Sequence, residues 1–424
     1  MDARMASDLQ PGNRESSVSL LPDEPDIDAP RGLRAPGTAR MIAGSLAGAI
    51  LAYLFQVYGT RALGAHAFAP IALLWTSYFI VATVILIPLE QFVTREASRG
   101  RRVLRDDRAT IALVIGGAAL LLGGFTFLTN DAFFSGEPIF VLQAVAVTVG
   151  YGVMQVGKGL LAGHRRFAEY GAVLAWEGVA RLVAAVAFIA FSSSAPALGW
   201  AMVAAPLGVL VVRPFRYDRE TVTGVAPTKA SGFLSSYVLG SAASQVLLGA
   251  APIGVGALGG SEALRSVVFT TFLLYRAPLT LIYNLQGRLL SLLVRMDSKT
   301  NLRRGLLRLV GFGLVLVALA GVVGFFVGPA VVGLLFGPEF RPVAAVAALA
   351  AAGVIAGSVT QLMGQALVAN GSTGQLASAW VGGLFAGLVT MFLVGGTPDL
   401  RVAVGFAVGE LVALALACWR TLRK

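Results

Sequence analysis

The side chains in this sequence best placed to do chemistry are ionisable residues inside long apolar runs, where every charge must be matched. Arg181 lies ten residues into a run near 171–191, and Glu177 precedes it by one helical turn. That i, i+4 spacing puts both on one helix face and favours an ion pair. Lys158 stands near the end of the preceding run, 139–161, and its long stem is expected to reach toward Glu177. Glu177, Arg181 and Lys158 can thus satisfy one another as a structural network.

Arg276 is placed differently, within Phe272-Leu273-Leu274-Tyr275-Arg276-Ala277-Pro278, and the nearest acids in sequence are Glu262 and Asp297. An unmatched arginine at membrane depth costs about 2.5–3.5 kcal/mol on the insertion scale. A wet cavity, an acid on another run such as Glu90 or Glu410, or an anionic ligand would each hold it. Guanidinium binds phosphate through paired, charge-assisted hydrogen bonds. Pro278 interrupts the helix just beyond and offers a bend. Glu410, near the middle of the last run, has no charged neighbour on its own helix. It suits proton or sodium coupling, as does Glu177, or a bond to a neighbouring backbone.

Other patterns carry less. Gly152 to Lys158 resembles a phosphate-binding loop, but Gly159 stands where the magnesium-binding hydroxyl belongs, and the run is apolar. Asn370-Gly371-Ser372 has the form of a glycosylation site and reads as an ordinary loop. Asp106-Asp107, among Arg101, Arg102, Arg105 and Arg108, reads as a solvated, charge-balanced loop rather than a catalytic pair. Gly44 and Gly48 have the spacing of a helix-packing face. One cysteine, Cys418, and two histidines, His66 and His164, supply neither a disulfide framework nor a metal-ligand cluster. No cofactor and no catalytic constellation is expected.

The elements that must position these residues are membrane helices. Hydrophobic residues make up 56% of the 424 and charged residues 13%, with a mean hydropathy of +0.78. A soluble domain carries about 25% charged residues. Residues 1–39 form a polar, proline-rich tail that cannot bury enough surface to fold. It contains no signal-peptide core, so the first span is expected to be retained. Twelve spans follow, near 41–60, 70–92, 110–129, 139–161, 171–191, 197–212, 233–255, 266–287, 309–328, 343–366, 376–395 and 402–419. Each is long enough to cross a ~30 Å core as a helix. The apolar stretch Val331–Phe336 is expected to lie along the interface.

The net charge of +11 does not point to nucleic acid, because the basic residues cluster between apolar runs. With both termini cytoplasmic, 26 Lys and Arg residues fall in cytoplasmic segments and 4 outside, namely Arg61, Arg265, Arg341 and Arg401. This is the positive-inside pattern. An internal repeat is visible at an offset of 195: Ala62-Leu63-Gly64 matches Ala257-Leu258-Gly259, and Thr76 matches Thr271. Six spans between the copies give them the same orientation, as in transporters built from two parallel halves.

Four stretches, in order, resemble the polysaccharide-transporter branch of the multidrug/oligosaccharidyl-lipid/polysaccharide (MOP) exporter superfamily. They are Gly59-Thr60-Arg61-Ala62-Leu63-Gly64; Gln91-Phe92-Val93-Thr94-Arg95; Gly159 to Phe167 continuing through Glu177 and Arg181; and Leu334 to Phe340. The resemblance implies an all-α fold of two six-helix bundles around a central cavity. It divides the chain into the tail 1–39, an N-terminal bundle 40–212, a cytoplasmic linker 213–232 and a C-terminal bundle 233–424. It also implies a bacterial inner-membrane flippase for polyprenyl-diphosphate-linked oligosaccharides, with membrane lipids and glycan assembly enzymes as partners. Cavity arginines would receive the diphosphate, Arg276 above all, with Arg61 and Arg181 as further candidates. A drug exporter of the same superfamily would favour acids in the cavity. A polytopic glycosyltransferase or polymerase would need a long, acidic outer loop.

The charge count generates a test of topology. Reporter fusions at Glu137 and Asp399 are expected to give an outside signal, and fusions in 94–109 and at both termini a cytoplasmic one. A cytoplasmic signal at Glu137 or Asp399 would sink the twelve-span arrangement.

Overall fold

A computed structural model describes residues 37–219, 242–276, 299–369 and 373–422. Among these, ten helices are long and apolar enough to cross a membrane. The first six spans are α1 (Thr38–Ala67), α2 (Ala69–Ser98), α3 (Arg108–Leu128), α4 (Ile139–Gly163), α5 (Phe167–Phe191) and α6 (Ala195–Val212). The second six are α7 (242–257), α8 (described over 262–276), α9 (Lys299–Phe326), α10 (Ala344–Ala369), α11 (Thr373–Leu393) and α12 (Pro398–Leu422). The described residues contain no strand. Most of the expected tail and linker, Pro278 and the Asn370-Gly371-Ser372 sequence lie outside the described residues.

Irregularities in the helices have local causes. Pro88 lacks an N–H and would clash with a regular preceding turn. The chain absorbs it as one π turn, Ala82–Leu86, in which the Ile87 N–H bonds the Ala82 carbonyl. In α6, Pro206 sits in a tighter 3₁₀ turn, Ala205–Gly208, for the same reason. The apolar stretch after α9 is a separate helix, Gly328–Phe336, begun by Pro329 and ended by Gly337.

The two halves repeat their packing. In the first, α3 lies on α4, and α6 on both α4 and α5; in the second, α9 lies on α10, and α12 on both α10 and α11. The turns after the first helix of each half also match. Gly64 has φ 72° and Gly259 φ 76°, a left-handed conformation that glycine adopts without steric cost. These are the glycines of the two Ala-Leu-Gly copies.

The contacts joining the halves gather at the end of the bundle where α1 meets α2, here called the turn end. The ring of Phe68 meets Phe269 at 6.0 Å and Phe340 at 6.4 Å. The Arg265 guanidinium donates to the Ala132 carbonyl at 2.7 Å and lies over the Phe133 ring. Glu262 pairs with His66 at 3.0 Å and accepts from Ser135 at 3.1 Å. The opposite end carries the C-terminus and the 99–107 loop. There Arg101 is buried rather than solvated, and it joins Glu96 at 2.6 Å, Asp107 at 3.1 Å and Asp106 at 3.9 Å. Burial pushes the Asp107 carboxyl up, against the pull of Arg101.

Candidate functional site

Two buried charge networks lie wholly within the first half. Arg181 forms an ion pair with Glu177 one turn earlier on α5. Tyr151 of α4 bridges them: Arg181 donates to its hydroxyl at 2.6 Å, and that hydroxyl donates to Glu177 at 2.6 Å. The guanidinium also lies 4.9 Å from the Trp75 ring and 5.8 Å from Phe55. In this conformation Arg181 is buried and committed to these partners.

Lys158 does not join that network. It pairs with Glu90 of α2 at 2.9 Å and donates to Gln155 at 2.7 Å, while Tyr170 donates to Glu90 at 2.7 Å. The reason is helical register. α4 and α5 are antiparallel about the turn at Arg165, so residues equidistant from that turn share a depth. Tyr151 is about level with Arg181, whereas Lys158 is about level with Tyr170, two to three turns from Arg181. The same pairing removes Glu90 from the acids expected to answer Arg276.

Arg61 bridges the two halves at the turn end. Its guanidinium donates to the carbonyls of Leu335, at 2.9 Å, and Leu334, the last turn of the short helix Gly328–Phe336. A cation there satisfies orphan carbonyls and complements the negative end of the helix dipole.

Arg276 is the last described residue of α8. It is fourteen residues beyond Glu262 at the start of α8, or about 21 Å along the helix. It is half-buried, with its guanidinium 5.9 Å from the Phe272 ring. Glu410 of α12 and Tyr53 of α1 are among the groups that feel its charge. Tyr53 crosses between the halves, donating to the Leu273 carbonyl at 2.5 Å. Arg276 therefore sits beside the seam where α1 meets α8.

Glu410 is fully buried, and neither carboxyl oxygen accepts a hydrogen bond among the described residues. Its room comes from Gly357 of α10, where a Cβ would stand 2.7 Å from Oε2. Reasoning from sequence missed Tyr53, Tyr151 and the Glu90–Lys158 pair. The hairpin register about Arg165 was a usable signal for Tyr151; nothing local marks Tyr53.

The chain matches no family model. Among curated proteins it is similar to two uncharacterized proteins of Mycobacterium tuberculosis. One is 27% identical over 403 residues, 89% of this chain and 90% of the relative. The other is 26% identical over 416 residues, 92% of each. Among solved structures it is similar to a mutant of the Vibrio cholerae MATE transporter VcmN, with TM-score 0.55, 16% identity, and 92% and 96% of the two chains covered. A multidrug resistance MATE family transporter of the MOP superfamily, in an inward-facing conformation, gives TM-score 0.59, 12% identity, and 90% and 93% coverage. A MOP superfamily transporter from Pyrococcus furiosus, described as having a binding pocket of reverse polarity, gives 0.60, 14%, and 92% and 96%. The chain has the multi-pass, two-lobed helical fold of these MATE proteins.

The Glu177–Arg181 geometry yields a prediction. Neutralising either residue strands a buried charge, at a cost of about 3–5 kcal/mol. Glu177→Gln and Arg181→Met are each expected to lower thermal stability and membrane abundance sharply, and the double variant to recover much of the loss. Additive losses in the double would show that the two charges do not depend on each other.

Proposed function

We propose that this chain is an inner-membrane flippase that carries a polyprenyl-diphosphate-linked oligosaccharide from the cytoplasmic to the outer leaflet by alternating access. The observation that carries the reading is Arg276, a guanidinium within an apolar helix beside the seam between the two halves. A lipid diphosphate must move a doubly anionic head group through a low-dielectric slab. A fixed cation at the midpoint lowers that barrier by supplying the opposite charge where water is scarce. The transporters that share the fold support membrane transport, and the reverse polarity described for the pocket of the Pyrococcus furiosus protein is compatible with a different kind of substrate on the same fold.

The positive-inside pattern makes the turn end the outer end. Closure there by Phe68, Phe269 and Phe340 fits a conformation that receives its substrate from the cytoplasm. Opening outward must release Arg61 from Leu334 and Leu335, which frees a second guanidinium near the exit for the departing anion. The competing reading, drug export, would set a cationic substrate against cavity carboxylates. Glu177 is already bound to Arg181 and Tyr151, and Glu410 is walled in beside Gly357.

Arg276→Ala is expected to lower flipping of the lipid-linked glycan about 10- to 100-fold, the equivalent of one lost charge-assisted contact. Arg276→Lys keeps the charge and loses only the paired geometry, so it is expected to retain part of the activity. Glycan-lipid accumulation measured beside membrane abundance decides the matter. A stable, inserted Arg276→Ala protein that flips normally refutes the reading, and loss of drug export alone would favour the competing one.

A further inference from the structure

Between the Tyr53 bond and the turn end, the seam between the halves carries a strip of uncharged polar groups. Tyr53, Gln56 and Thr60 stand at i, i+3 and i+7 on α1, and Leu273, Thr270 and Ser266 repeat that spacing backwards along α8. Each set therefore shares one helix face. α1 runs toward the turn end and α8 away from it, and the Tyr53 hydroxyl donates to the Leu273 carbonyl. From that anchor, three residues along either helix span ~4.5 Å and seven span ~10.5 Å. Gln56 is thus about level with Thr270, and Thr60 with Ser266. All four are at most 1% exposed, and Phe269 and Leu273 of the same stretch of α8 pack into the apolar cluster of the first half.

Two of the four are satisfied and two are not. The Thr60 hydroxyl donates to the Gln56 carbonyl at 2.9 Å and the Thr270 hydroxyl to the Ser266 carbonyl at 3.1 Å, each within its own helix. The Gln56 side-chain amide, oxygen and nitrogen alike, and the Ser266 hydroxyl are shut off from solvent and have no hydrogen-bond partner among the described residues. A polar group left in this state forfeits the bonds it makes to water. Other contacts across the seam favour closure, with the Phe68 ring on Phe269 and Phe340 and Arg61 on Leu334 and Leu335. Gln56 and Ser266 oppose it.

Resting on the reading of alternating access, we propose that Gln56 and Ser266 are a built-in counterweight to closure of the turn end. Both groups lack a partner while the seam is shut, and parting α1 from α8 returns them to water. The solvation they regain narrows the free-energy gap between the closed and open states, so a seam held by aromatic packing still opens. The device needs no charge and no ligand, and it therefore acts on the empty carrier as well as the loaded one. Thr60 and Thr270 lie in the same strip without contributing, because their hydroxyls keep their bonds within one helix whichever way the lobes stand.

The test uses the full-length chain in nanodiscs, with spin labels on Glu137→Cys and Thr397→Cys in a Cys418→Ser background. Both labelled positions are exposed at the turn end, one in each half, so the label separation reports the closed and open populations there. Gln56→Met, close in shape and without the amide, is expected to reduce the open population on the order of tenfold, as for one buried polar group no longer left unbonded. It is also expected to melt at a higher temperature. Ser266→Ala is expected to act in the same direction, and it is the second variant should the first fold poorly. Thr60→Val is the control within the strip and is expected to leave the populations where they were. An unchanged or larger open population in Gln56→Met, or in Ser266→Ala where the first does not fold, overturns the proposal while the reference chain still shows two separations. An equal shift in Thr60→Val overturns it too, because the effect would then be one of apolarity alone. A reference chain that flips glycan lipid while showing a single separation defeats alternating access at this end, and the proposal falls with it.

Discussion

A charge inside a hydrocarbon slab has no water to answer it, and the interior of this protein is arranged around that fact. Each ionisable group at depth has to find its partner within the protein or on a ligand. The first half solves the problem completely. Arg181, Glu177 and Tyr151 close one network, and Lys158, Glu90, Tyr170 and Gln155 close another. Both draw on helices of one half only, α4 with α5 and α2 with α4 and α5. They tie those helices together and make no demand on the other half.

The second half solves it differently. Arg276 has Glu410 opposite it on the same half, but Tyr53 of the first half is also within its reach. The Tyr53 hydroxyl bonds a backbone carbonyl of α8 across the seam. One residue thus feels the charges and dipoles of both lobes. The closed turn end has the same character, since Arg61 reaches from α1 to the last carbonyls of a helix in the other half. Links between the lobes combine single side chains bonded to backbone oxygens with a buried apolar cluster at the turn end, while the charge networks within the first lobe are multi-membered. Rigid lobes joined by a few separable contacts are what alternating access requires.

Much of the fold was legible because the bilayer restricts what a chain can do. Apolar runs of about 20 residues must be helices, and the positions of α1 to α6 and α9 to α12 follow from that rule. The repeat was legible at Gly64 and Gly259 because a positive φ demands glycine at both copies. Partners were harder to read. Glu177 and Arg181 share a helix, so spacing alone placed them together, whereas Lys158 was assigned to Glu177 and meets Glu90 instead. Its partner depends on the register of three helices, information that no one helix contains. Arg276 was recognisable by its depth. The groove that holds Glu410 was not, because Gly353 and Gly357 look like any other glycines in a chain with 51 of them.

That groove also explains why an acid tolerates such a place. A buried carboxyl without hydrogen bonds is costly, and packing alone would push it out toward water. The Phe272–Phe406 contact and the shape of α10 keep it in. Apolar packing therefore holds the polar group where it is least comfortable. Relaxing the packing would let the Glu410 carboxyl move toward a polar partner or water.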